Sequence, residues 1–75
     1  MKLDLHGTYH SEVPPKVDRF LWECINDTRI IEADIVTGNS KEMKDIVIGV
    51  VKEHGFNYSV GNPWNKGFIR VSFLF

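Results

Sequence analysis

The chain is poor in the residues that staple or interrupt a fold. It has one cysteine, Cys24, and so no internal disulfide; stability must come from packing. Only three prolines are present, and two of them are adjacent at Pro14-Pro15. No apolar run approaches the ~20 residues that a membrane-spanning helix needs. Asp4 stands where a signal peptide wants an apolar stretch, so the expectation is a soluble, cytoplasmic protein with no membrane partner. Charge of one sign is not in excess either. Nine Lys and Arg against ten Asp and Glu give a net charge of −1. That excludes a binder that coats nucleic acid with its whole surface, but not one with a local basic face. Repeats, linkers and low-complexity tracts are missing as well. What remains is 75 residues, 43% hydrophobic and 12% aromatic, enough for one core and one domain over 1–75. A chain of this size buries only about 60–65% of its unfolded surface, so its margin of stability is small.

Turn formers divide the sequence into six elements. Leu3 and Leu5 alternate with Lys2 and Asp4, which predicts a short strand ending at His6-Gly7. A polar loop, Thr8 to Glu12, leads to Pro14-Pro15, which fit the first turn of a helix. Val17, Phe20, Leu21, Cys24 and Ile25 then form one helical stripe. Ile30 to Val36 reads as a second strand, and Thr37-Gly38-Asn39-Ser40 as a turn in which Ser40 caps the next helix. Met43, Ile46, Val47, Val50 and Val51 repeat the stripe, and Gly55 stops it. Phe56, Tyr58 and Val60 alternate in a third strand. After the loop Gly61 to Gly67, Ile69, Val71, Phe73 and Phe75 alternate in a fourth. The order βαβαββ predicts an α/β fold, an α+β two-layer sandwich with a mixed four-stranded sheet. Two helices cover one sheet face and the other stays open unless a partner covers it. The expected core is Leu5, Val17, Phe20, Leu21, Cys24, Ile25, Ile35, Met43, Ile46, Val47, Val50 and Val71.

If the first two strands are parallel neighbours, the loops at Asp4-Leu5-His6-Gly7 and Thr37-Gly38-Asn39-Ser40 leave the sheet at one edge. That edge is where open α/β sheets bind ligands. The second loop feeds a helix N-terminus, whose free N–H groups and dipole suit a phosphate, and Gly38 permits close approach.

Leu3-Asp4-Leu5-His6-Gly7 matches the LDLHG opening of the Smr (small MutS-related) domain, and Thr37-Gly38 falls where that family has HGxG or TGxG. The element order between them, and Gly67 followed by an apolar strand, also resemble that family over the whole chain. The resemblance implies a fold similar to the C-terminal domain of translation initiation factor 3. It implies nucleic acid, DNA or RNA, as partner. Several family members are described as nicking endonucleases on DNA or RNA, and others as RNA-binding modules. Two departures stand out: Ser40 replaces the second glycine of TGxG, and Trp64 and Asn65 precede Gly67 where relatives are richer in glycine.

Asp4 and His6 share one parity of the first strand. In a nuclease, His6 would be the general base or stabilise the scissile phosphate, and Asp4 would orient it or hold a divalent ion, Mg or Mn. The plainer reading is that Asp4 caps the loop and His6 bonds a backbone carbonyl. A lone Asp–His pair offers a hard cation few oxygens, though Glu32 and Asp34 on the second strand could add to it. Gly7, His10, Thr37, Gly38, Asn39, Ser40, Lys41, Lys44, Lys66 and Arg70 complete the candidate nucleic-acid contacts. Trp64 either stacks on an unpaired base or closes the core as a lid. Trp22 reads as packing at the helix edge, Cys24 as core rather than nucleophile. The leading expectation is a nucleic-acid-binding domain with endonuclease activity. Beside it stand a binding module without catalysis and a domain whose open sheet face docks a larger nucleoprotein or another protein.

Overall fold

The computed structural model describes residues 1–74; the expected place of Phe75 in the last strand lies outside them. The chain forms β1 (Lys2–Asp4), a 3-10 turn (His10–Glu12), α1 (Val13–Ile25), β2 (Glu32–Val36), α2 (Lys41–His54), β3 (Asn57–Val60) and β4 (Phe68–Ser72). This is the expected α+β architecture: two helices and one mixed four-stranded sheet. Strand order is β1-β2-β4-β3, with β1 parallel to β2, and β4 antiparallel to both of its neighbours.

Both helices form for the reasons their sequences suggest. Pro14 and Pro15 occupy the first turn of α1, where a missing N–H costs nothing. One addition precedes it: Glu12 N–H bonds the Tyr9 carbonyl at 2.9 Å, which tightens the end of the polar loop into the 3-10 turn. In α2, Ser40 Oγ accepts the Met43 N–H at 3.1 Å and Gly55 ends the helix at φ +79°. Val13, Val17, Phe20, Leu21 and Cys24 of α1 and Met43, Val47, Val50 and Val51 of α2 are buried. They pack on Leu5, Ala33, Ile35, Ile69 and Val71 of the sheet in one cluster. The expected core thus holds except at two positions. Ile25 is 36% exposed, because α1 ends there and its last turn projects beyond the core into a cleft beside Ile31 and Phe73. Ile46 is half-buried and packs on the flank of the cluster.

Strand ends also differ from the reading by alternation. Ile30 N–H bonds the Asp27 carbonyl at 3.0 Å, so Ile30 belongs to a turn and β2 starts at Glu32. Phe56 N–H returns to Val51 and leaves β3 to begin at Asn57. β4 stops at Ser72, and Phe73 packs its ring edge-on against Phe56 at 4.9 Å.

Side chains of the other parity form the face without helices. In register across β1, β2 and β4 lie Lys2, Asp34 and Arg70, and in the next row Asp4, Val36 and Phe68. Phe68 is only 8% exposed although it stands outside the helix-side cluster.

Candidate functional site

Parallel pairing of β1 and β2 brings the two expected loops to one edge. The ladder continues one residue past β1, where Leu5 N–H bonds the Val36 carbonyl at 3.0 Å. The chain then turns sharply. Thr8 N–H bonds the Leu5 carbonyl at 3.0 Å, and Gly7, at φ +76°, takes the left-handed position that a side chain would strain. Asp4 Oδ1 accepts the backbone N–H of His6 at 2.8 Å. Asp4 therefore fixes His6 through its main chain, the loop-capping geometry, and the His6 side chain is exposed.

At the end of β2, the Thr37 and Gly38 N–H groups both donate to the Gly67 carbonyl at 2.9 Å. The buried Thr37 hydroxyl donates to the Gly38 carbonyl at 3.0 Å and to that of Gly67 at 3.3 Å. These bonds stitch the β2–α2 turn to the loop between β3 and β4, so Lys66 arrives beside Gly38. Gly67 is a point of close approach: a Cβ there would stand 3.0 Å from Asn65 Oδ1 and 3.6 Å from Gly38 Cα. Gly38 holds φ +67°, whereas Ser40 lies at φ −71°, where serine meets no backbone strain. Ser40 contributes its hydroxyl as the cap. Asn39 is exposed at the apex of the turn.

His10 closes the site on the remaining side. Its Nδ1 lies 3.3 Å from Glu42 Oε1 in the first turn of α2, which ties the loop after β1 to that helix start. The helix dipole favours an anion here, but the Glu42 carboxylate already sits on part of it. Lys41 reaches Asp45 at 3.2 Å along α2, an exposed pair that a stronger anion can displace at little cost. Lys44 is half-buried and Lys66 exposed.

Arg70 lies apart from this edge. It makes two bonds to Asp34, 2.8 and 3.1 Å, on the helix-free face, and its guanidinium rests 5.4 Å from the Phe68 ring centre. The hydrogen bond from Arg70 holds the Asp34 carboxyl below its ordinary value and raises the guanidinium in turn. Trp64 is no lid: it is 89% exposed at the tip of a loop built on Asn62, whose Oδ1 accepts the N–H groups of Trp64 and Asn65 at 2.9 and 2.7 Å. Trp22 stands edge-on to His54 at 5.8 Å, at the margin of the helix pair. Tyr9, which the reading of the sequence passed over, is 77% exposed just before the 3-10 turn. An aromatic residue inside an otherwise polar loop was the available signal.

The described residues of this edge gather no ready cage for a divalent ion. Asp4 spends one oxygen on His6 N–H, Asp34 is held by Arg70, and Glu32 pairs with Ser72 at the opposite end of β2. Among the described residues no three His, Cys, Asp or Glu side chains gather closely enough to hold a metal. No helix among them is long and apolar enough to cross a membrane. Compared with known proteins, the chain matches no family model, no curated protein and no solved structure.

Proposed function

We propose that this chain is a cytoplasmic, Smr-like nucleic-acid-binding domain that grips the phosphate backbone of DNA or RNA at the edge formed by the His6-Gly7 and Thr37-Gly38 turns. One observation carries the reading. Two turns with left-handed glycines and the capped start of α2 converge on a single edge, with Lys41, Lys44 and Lys66 around it. The Thr37, Gly38 and His6 N–H groups are spent within the turns, so a phosphate would be held by the N–H groups of Lys41 and Glu42 at the start of α2, by the helix dipole, and by lysines of which Lys41 has only a weak partner to leave. Tyr9, in the loop that follows the first turn, and Trp64, in the loop that ends at Gly67, are exposed and can stack on unpaired bases. The free, buried Cys24 thiol suits a reducing compartment.

A second reading, phosphodiester hydrolysis, is favoured by His6 itself. Its main chain is fixed by Asp4 while its ring faces solvent at the phosphate edge. There it would take a proton from the attacking hydroxyl or water as general base, with no step assigned to a metal.

Binding should weaken steeply with salt. Three lysine–phosphate contacts to a single strand imply a loss of about 20-fold between 50 and 200 mM salt. Lys41→Glu with Lys66→Glu should weaken binding further while leaving the thermal midpoint near that of the parent. Salt-independent binding would contradict a phosphate grip.

A further inference from the structure

A second concavity lies on the helix-free face, around the corner from the phosphate edge. Its volume is about 310 Å³, at the small end of ligand sites, and its floor and walls are Val36, Phe68, Lys2, Arg70, Asn62 and Asn65. The chemistry is one-sided. Asp34, the carboxylate in the cleft, is bound twice by Arg70. Lys2 has no ion pair among the described residues. Asn62 and Asn65 spend their amide oxygens on N–H groups of their own loop, so each keeps its NH2 group for a ligand. One unpaired cation, Lys2, the Arg70–Asp34 pair and two amide donors thus surround Val36 and Phe68, for a net charge of +1. The complementary ligand is flat, partly apolar, rich in hydrogen-bond acceptors, and joined to a negative charge. The Arg70 guanidinium, lying over the Phe68 ring, offers a plane on which such a ligand can stack.

We propose that this cleft seats one unpaired base of a single-stranded nucleic acid, with the neighbouring phosphate at Lys2 and Arg70. The proposal rests on the nucleic-acid reading above and deepens it, since it names a single strand as the substrate class. Continuity with the edge supports it: Gly67 lines the cleft, and its carbonyl accepts the Thr37 and Gly38 N–H groups. A strand gripped at Gly38 therefore has the cleft within reach of its next nucleotides. A base in a duplex cannot enter, because its acceptor edge is already paired and its faces are stacked.

The test compares affinities of the full chain for short oligouridine, the same strand with abasic sites, and a duplex. The parent is measured beside the double variant Asn62→Asp, Asn65→Asp. Aspartate keeps the oxygen that holds the loop and removes the NH2 donor, so the loop should survive; thermal melting checks this. The expected result is preference for oligouridine over both other ligands by about tenfold or more. The two added charges should lower affinity for all three ligands, and the ratio of oligouridine to abasic strand, which is the readout, should fall to about one. If oligouridine and the abasic strand bind equally to the parent, the cleft proposal is overturned while the phosphate grip stands, a comparison that needs no variant. Full preference in a well-folded double variant overturns it too. Absence of binding to any nucleic acid removes both readings.

Discussion

Cys24 lies on the same helical stripe as Phe20 and Leu21 and is 1% exposed, and burial pushes its thiol above the ordinary value. A thiolate is the reactive form, so a neutral buried thiol is inert. A thiol reagent at neutral pH should therefore label Cys24 only as fast as the domain opens, and at once in denaturant; rapid labelling of the folded chain would mean that α1 packs in another phase. Residue identities at the candidate site were equally readable, but their contacts were not. Alternation places Asp4 and His6 on one side, whereas the structure ends β1 at Asp4 and turns its carboxylate onto the His6 main chain. Parity describes a strand and gives no information once the strand has stopped. Trp64 shows the same limit: nothing local says whether a loop tryptophan folds inward, and the decision lies with Asn62, whose oxygen organises the loop around itself.

At the scale of elements, both helices were legible: α1 from its stripe behind Pro14-Pro15, and α2 from a stripe, the Ser40 cap and the Gly55 stop. The hairpin of β3 and β4 was legible too. Which of its strands lies beside β2 was not, since chain order does not determine spatial order. The structure puts β4 inside, where Phe68, Ile69 and Val71 are buried, and leaves β3, with exposed Asn57 and Ser59, at the edge. Two substitutions separate a lost cap from a strained loop. Ser40→Ala removes the bond to Met43 N–H and should cost ~1 kcal/mol, the usual worth of an N-cap. Gly61→Ala should cost more, about 1–3 kcal/mol, because it imposes a side chain at φ +60°. Its Cβ would also run into the Asn65 carbonyl and stand 2.8 Å from Lys66 Cα. Urea unfolding of both variants measures the order; an equal or smaller loss in Gly61→Ala would mean that the loop is not held against Lys66.

For the molecule as a whole, the central pair of strands is clamped by Asp34 and Arg70 on the face without helices. The Asp34 carboxyl is lowered in the fold chiefly by its hydrogen bond from Arg70. A depressed carboxyl stabilises the native state above its unfolded value, near 3.9, and the contribution disappears as pH falls through the lower folded value. The pair is partly exposed, so Asp34→Asn should cost under about 1 kcal/mol at neutral pH. Melting temperatures of parent and variant should differ at pH 7 and converge in strong acid. A gap that persists unchanged to the lowest pH would assign the effect to packing instead.

The convergence of the two turns at one sheet edge is tested most directly by an amide NMR titration of the whole chain with a short single strand of RNA or DNA at low salt. The phosphate grip predicts shifts concentrated at His6, Gly7, Gly38, Asn39 and Lys41, reversed by added salt. Shifts confined to the apolar cleft beside Ile25, Ile31 and Phe73 at the far end of the sheet, or no shifts with any strand, would contradict it.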